Sequence, residues 1–369
     1  MLGTLQLEKF RGFETYALTD LTRVNLLVGK NNCGKTSILE AIHFLVSGGD
    51  PFVLTGTANR RGEVSDTGAT ARGWRPDVSH FFFGHRLEPG AAFRLLGDGY
   101  EPVSVEVRLA EAADDYGSRY GDDDSERAFP LVLQLERNAQ KSVLPLRENG
   151  SLIESRIRFR SPRRTLAGPL PRRPEDLTPP FEFVTPDSLD PDRMRTIWDR
   201  VLTEDRESEV IDAVKLLDGD LKSIRFLTSD ASRARSDRAG VLLGFEGGGP
   251  RVPLGSYGDG MRRLLALALA FVQTAGGVLL VDEIDTGLHW TVMEDMWRLV
   301  VDTARKSSVQ VFATTHSYDC IRGLSSLVES HPDLAGDVSI HKIGRSIRKA
   351  VHLDADDIRV AVEQNIEMR

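Results

Sequence analysis

The chain has 369 residues, 40% hydrophobic and 28% charged, with a formal net charge of −8. This composition fits a soluble globular protein of one large domain or two smaller ones, and no apolar stretch approaches a membrane span. The acidic balance excludes a globally basic nucleic-acid footprint, and two cysteines, Cys33 and Cys320, exclude a disulfide framework. With no signal-peptide form at the start, the expected setting is reducing and cytoplasmic, without a membrane partner.

In chain order, the β-branched and apolar run Val24, Leu26, Leu27, Val28 predicts a strand, and Ser37 to Ile42 predicts a helix. Between them, Gly29-Lys30-Asn31-Asn32-Cys33-Gly34-Lys35-Thr36 fits the phosphate-cradling pattern G-x-x-x-x-G-K-[ST]. Strand, glycine loop and helix are the context this chemistry needs. Gly29 and Gly34 let the backbone turn tightly and approach phosphates. Free N–H groups from Asn31 to Ser37 face the anion, Lys35 supplies a point charge, and Thr36 offers a hydroxyl to Mg²⁺.

The alternating runs Val103, Val105, Val107, Leu109 and Leu131, Leu133, Leu135 predict antiparallel strands with one buried face. An acidic segment between Asp114 and Glu126 predicts an exposed loop. Prolines 162, 169, 171, 174, 179 and 180 predict an extended linker. Arginines 156, 158, 160, 163, 164, 172 and 173 crowd beside it, and Arg225, Arg233, Arg235 and Arg238 form a second group. Such density suits contact with DNA or RNA phosphates, or equally a solvated face paired with an acidic partner. Residues 188–228 have a helical rhythm, with Met194, Ile197, Trp198, Val201 and Leu202 on one face and Val210, Ile211, Val214 and Leu217 on another.

The second half begins with a glycine-rich turn, Gly255 to Gly260, ahead of a helix over Leu264 to Val272 that is apolar on nearly every face. The turn exposes a helix N-terminus, a second anion-binding feature. Gly277 to Val281 then predicts a buried parallel strand ending in Asp282 and Glu283. At the C-terminal edge of such a sheet, Asp282 is placed to hold Mg²⁺ and Glu283 to orient or deprotonate a water. A further strand over Val309 to Ala313 runs into Thr314-Thr315-His316, which brings His316 within reach of a γ-phosphate in the same crevice. Val338, Ile340, Ile343 and Ala350, Val351, Leu353 predict closing strands.

In this order the motifs resemble those of the ABC-type ATPases: Walker A, signature, Walker B, D-loop and H-loop. The chain is most similar to the soluble branch with OLD-family, RecF-type and structural-maintenance-of-chromosomes (SMC) proteins, and within it to compact OLD-like ATPases of phage-defence loci. Leu5 to Phe13 resembles that branch's opening strand and Phe-Arg-x-Phe segment, and Asp285-Thr286-Gly287-Leu288-His289 resembles its D-loop. The resemblance implies an α/β P-loop ATPase head: a mixed or parallel sheet with flanking helices, an antiparallel β-subdomain and a small helical insertion. The expected units are 1–50 with 240–369 as the ATPase core, 51–160 as the β-subdomain, and 161–239 as linker and helical insertion.

The resemblance also implies ATP and Mg²⁺ as ligands, and a head-to-tail homodimer or higher oligomer. There Gly258 and Gly260 reach the partner's γ-phosphate, Glu283 is the base, His316 the γ-phosphate sensor, and Asp285 communicates across the dimer. Gly258 stands where the family has serine. No glutamine occurs between Gln6 and Gln134 to serve as the Q-loop residue, so turnover is expected to be slow. His80 or His85 is a candidate substitute, although aromatic packing explains the Phe81-Phe82-Phe83 segment equally well. OLD-like proteins often carry a Toprim nuclease after the ATPase, but only 53 residues follow His316, so such a nuclease is expected to be absent here. The expected function is therefore a nucleotide-controlled switch for a separate nuclease or toxin effector in anti-phage defence. The alternatives are a RecF-like DNA-binding repair ATPase and a scaffold holding ATP structurally.

Overall fold

A computed structural model describes residues 1–66, 74–110, 131–137, 140–146, 150–152, 178–227 and 240–368. The first part runs β1 (Leu5–Phe10), β2 (Phe13–Leu18), β3 (Val24–Val28), α1 (Lys35–Val46), α2 (Pro51–Arg61), β4 (Val64–Asp66), β5 (Trp74–Pro76), β6 (Ala92–Gly97), β7 (Tyr100–Leu109), β8 (Leu131–Arg137) and β9 (Gln140–Leu146). There follow β10 (Phe181–Val184), α3 (Pro191–Thr203), α4 (Glu207–Val214), β11 (Leu221–Phe226), β12 (Val241–Phe245) and β13 (Val252–Pro253). The last part is α5 (Asp259–Gln273), β14 (Val278–Val281), α6 (Met293–Lys306), β15 (Gln310–Thr314), α7 (Tyr318–Ser330), β16 (Val338–Lys342), β17 (Val351–Leu353) and α8 (Ala355–Glu363).

Two six-stranded sheets organise these elements. One, ordered β10-β14-β15-β3-β16-β17, is parallel except for its last strand. Strands β3, β14 and β15 are buried at every residue, because helices or the other sheet cover both faces. The other sheet, β2-β1-β6-β7-β8-β9, is antiparallel throughout, and in β7 Val103, Val105 and Val107 alternate inward. Helix α1 lies between the sheets and contacts both, which is why Ile38 to Ile42 and Phe44 to Val46 are all buried. Helices α3 to α7 cover the opposite face of the parallel sheet with a second apolar core.

Several sequence expectations give way here. The antiparallel sheet recruits β1 and β2, because the two-residue turn at Arg11-Gly12 folds the N-terminus into a hairpin on the edge of β6. Residues 51–61 form a helix: Asp50 caps the Phe52 N–H, Pro51 sits at the first position, and Gly62 closes it with left-handed geometry. Strand β10, expected within the linker and helical insertion, hydrogen-bonds to β14 and extends the parallel sheet. The helical rhythm ends early, since residues 221–226 form β11, paired with β12. Leu202 points to solvent, while Met194, Ile197, Trp198 and Val201 carry the buried face of α3. The acidic segment 114–126, prolines 162 to 174, the arginine cluster 156–173 and Arg233 to Arg238 lie outside the described residues. Among the described residues, no helix is long and apolar enough to cross a membrane.

The opening Phe-Arg-Gly-Phe turn has a mechanical role. Arg11 is 4% exposed, and its Nε lies 2.7 Å from Glu40 on α1, an ion pair whose geometry falls short of a hydrogen bond. Its Nη1 donates to Glu63 at 2.8 Å, and Arg61 from α2 donates to the other Glu40 oxygen at 2.5 Å. Burial raises the Glu40 pKa, and Arg11, Arg61 and Arg60 oppose that shift. Removing one member of a buried ionic cluster strands the others, at a cost of about 3–5 kcal/mol. Glu40→Ala should therefore lower unfolding free energy by about that amount in urea titration; a change under about 1 kcal/mol would show the cluster to be solvated.

One histidine, His341, is fully buried, and a second, His43, is largely enclosed. Burial pushes His43, between Phe181 and Phe183, down to about 3, with Arg60 adding to the effect. Burial likewise pushes His341 down to about 3. Below the ordinary value of 6.5 the unfolded chain takes up protons that these native side chains refuse, so stability is lost as pH falls from 6.5 toward 3. His43→Phe should flatten that loss by up to about 1.4 kcal/mol per pH unit relative to wild type. Parallel slopes in urea titrations at pH 7 and pH 5 would contradict it.

Candidate functional site

Three adjacent parallel strands, β14, β15 and β3, end at one edge of the sheet, and the predicted site residues follow directly from those ends. After β3 comes the glycine loop. A Cβ on Gly34, whose φ is +104°, would lie 2.4 Å from the Phe13 ring, so only glycine lets the loop rest on the opening turn. Gly34 is the N-cap of α1 and provides no side-chain cap, leaving the first-turn N–H groups of Lys35, Thr36 and Ser37 available to an anion. Asn31 and Asn32 are exposed at the loop's crest, and Asn32 takes a left-handed φ of 62°. The Lys35 ammonium donates back to Gly29 O at 2.7 Å and Lys30 O at 3.2 Å, which holds its charge inside the loop.

After β14 come the carboxylates. Asp282 is 7% exposed and accepts from the Thr36 hydroxyl at 3.0 and 3.2 Å, so the two groups predicted to hold a metal already converge. The Thr314 hydroxyl donates to Asp282 at 2.6 Å and accepts the Glu283 N–H at 2.8 Å. Glu283 is held in a left-handed conformation, φ 49°, unusual for a residue with a long side chain. Its carboxylate lies 3.4 Å from Nδ1 of His316, which follows β15, and both side chains are about half exposed at the crevice. Next door, the Thr315 hydroxyl donates to Asp285 at 2.6 Å.

The glycine turn occupies a different place. Gly258 is the N-cap of α5, and a Cβ on Gly260 would meet Gly287 O at 2.8 Å, so the turn packs on the segment that follows the carboxylates. The crevice thus brings together Lys35, Thr36, Asp282, Glu283 and His316, while Gly260 sits beside Gly287 at the other end of the carboxylate segment and Gly258 faces open space. His80 and His85 hydrogen-bond to each other, and His80 lies near Asp77; Phe81 and Phe82 are buried in the antiparallel sheet's core.

Sequence reasoning missed four contributors. Thr314 and Thr315 brace the carboxylates, Arg345 after β16 donates to Asn32 at 2.9 Å, and buried Arg263 of α5 donates to Asp282 O and Glu283 O. Arg263 lies in the first turns of α5, beside Arg262 and just ahead of the apolar run, and nothing in that position distinguishes it in the sequence.

The residues fit a nucleoside triphosphate and a divalent cation. Uncapped N–H groups and a lysine face one place, and a hydroxyl and a carboxylate meet beside it. Among the described residues no three His, Cys, Asp or Glu converge, so a cation there would complete its shell with phosphate oxygens and water.

Fold and site together define an α/β P-loop domain built to hold a nucleotide. Residues 24–319 match the family described as "AAA domain, putative AbiEii toxin, Type IV TA system", and the chain belongs to that family of ATP-binding domains. A Helicobacter pylori protein named ATP/GTP phosphatase is 19% identical over 352 residues, covering 89% of this chain and 88% of its own. Among solved structures, an SMC head bound to the C-terminal winged-helix domain of ScpA is 15% identical, with TM-score 0.47, covering 96% of this chain and 98% of that one. The recombination mediator RecF is 14% identical, with TM-score 0.40 and the same coverage.

Lys35→Ala should abolish the rise in melting temperature that ATP produces, because the phosphates lose the loop's cation. An ATP-dependent shift equal to wild type would overturn the phosphate assignment of this loop.

Proposed function

We propose that the protein hydrolyses ATP with Mg²⁺ and uses the nucleotide to assemble head to tail, as a switch for a separate effector in anti-phage defence. The observation that carries this reading is the division of the site. The glycine loop, Asp282, Glu283 and His316 share one crevice, while the N-terminus of α5 lies apart from it, with Gly258 open and Gly260 packed on Gly287. A second copy that brings its own α5 N-terminus over the triphosphate would complete the anion cage.

In this mechanism Lys35 and the α1 N-terminus hold the phosphates. Thr36 and Asp282 would hold the cation, which would supply charge neutralisation at the phosphates. Glu283 orients and deprotonates the attacking water, and His316 faces the same group from the neighbouring strand. The protein's share of catalysis is positioning and electrostatic stabilisation, since phosphoryl transfer needs little covalent help. Asp285, tied to Thr315, stands between the crevice and the α5 turn, a suitable place for one site to sense the other. The defence setting is supported by the family's description, which includes a toxin of a type IV toxin–antitoxin system, and by the resemblance to compact OLD-like ATPases.

Glu283→Gln should bind ATP and hydrolyse it about 100-fold or more slowly. By light scattering it should accumulate as a dimer or larger species with ATP and Mg²⁺, and revert without them. Wild-type turnover in this variant would remove Glu283 as base, and a mass unchanged by nucleotide would remove the assembly switch.

A further inference from the structure

Glu283 is the most demanding residue of the crevice, because its left-handed φ of 49° is costly for a non-glycine residue. Such a conformation persists only when its surroundings over-determine it. The Thr314 hydroxyl fixes the Glu283 N–H, and the carbonyl side is fixed by Arg263. The Arg263 Nη2 donates to Asp282 O at 2.6 Å and Glu283 O at 2.7 Å, Nη1 donates to Thr185 O, and Nε approaches Ile284 O at 3.4 Å.

This arginine is 2% exposed, and among the described residues no carboxylate pairs with it within ion-pair distance. Burial lowers its pKa to about 10, opposed by the nearby charges of Asp285, Asp282 and Glu283. A buried cation devoted to carbonyl oxygens is a poor device for stability alone, since a well-packed apolar side chain would avoid its desolvation. Its fork of donors suits a different task, holding several carbonyls of a sharp turn at fixed directions.

The clamp also has a direction. Arg263 rides on α5, whose first turn carries Gly258 and Gly260, and Gly260 touches Gly287 backbone to backbone. The helix therefore grips the carboxylate segment on both sides of Asp285. We propose that Arg263 is a positioning residue for hydrolysis: from the buried side of α5 it fixes the turn that aims Glu283, and so ties the geometry of the base to the placement of the glycine turn. This deepens the ATPase reading above and rests on it. Lysine cannot replace the fork, because a point ammonium cannot span carbonyls from Thr185 to Ile284.

The test compares Arg263→Lys and Arg263→Met with wild type and Glu283→Gln, reading ATP affinity with a fluorescent ATP analogue, steady-state kcat, and cooperative unfolding in urea. Arg263→Lys should fold cooperatively and bind nucleotide within about threefold of wild type, while kcat falls by about 100-fold. Arg263→Met should lose kcat at least as far, with nucleotide affinity similarly retained. A kcat within about threefold of wild type in either variant, or affinity lost in proportion to kcat, overturns the proposal. So does loss of cooperative unfolding in both variants, which assigns Arg263 to the fold alone. If wild type fails to hydrolyse ATP, or Glu283→Gln hydrolyses it normally, the ATPase reading fails and this proposal falls with it. If hydrolysis is blocked in Glu283→Gln but intact in Arg263→Lys, only the Arg263 proposal falls.

Discussion

One threonine hydroxyl governs the crevice. Because β14 and β15 run parallel with Val281 opposite Ala313, the next residues, Asp282 and Thr314, stand side by side. The Thr314 hydroxyl donates to the Asp282 carboxylate and accepts the Glu283 N–H, so one group from the neighbouring strand orients the Asp282 carboxylate and pins the turn at Glu283. Thr315 then reaches Asp285. The carboxylate segment is held largely by the next strand and by α5, so its geometry reports on the sheet as a whole. Valine at 314 would keep the β-branched shape and remove both bonds, which is why the hydroxyl matters more than packing here.

The same dependence on neighbours holds at the base of the glycine loop. The loop rests on Phe13, α1 is gripped by Arg11 through Glu40, and both residues come from the hairpin that begins the antiparallel sheet. Gln310, the first residue of β15, is buried and exchanges two hydrogen bonds with Leu2 at 2.7 Å each, closing the sheets together at the opposite end. A fully satisfied buried amide of this kind fixes one alignment of the two sheets, because any slip would leave several polar groups unpaired. The Phe-Arg-Gly-Phe segment, a mark of resemblance in the sequence, thus has a physical role as the seat of the phosphate loop.

What could be read from the chain beforehand follows the range of the forces involved. The glycine loop, the run into Asp282 and Glu283, and the run into His316 are local signals: a buried parallel strand is continuously apolar, and chemistry at its end follows immediately. The alternation of β7 and β8 is local as well. Strand β10 was hidden because its four residues become a strand only by pairing with β14, nearly a hundred positions later. β11 was hidden for the same reason, since Leu221 and Ile224 have helical spacing and are strand residues only opposite β12. Arg263, Thr314 and Thr315 carry no motif of their own; their roles are set by carbonyls and carboxylates that tertiary structure brings to them.

The departure at Gly258 can be understood in these terms. A serine at a helix N-cap satisfies its own helix, accepting a bond from an N–H two or three residues on. Gly258, with no side chain to accept, adopts a φ of +83° and makes no such bond, so the first-turn donors of α5 remain uncommitted. Glycine at an N-cap costs only a few tenths of a kcal/mol relative to serine. The stability lost is therefore small, and in exchange the turn keeps its full complement of N–H donors directed outward. Tyr257, stacked on Phe245 at 5.0 Å, and Gly260, seated on Gly287, hold the turn from either side.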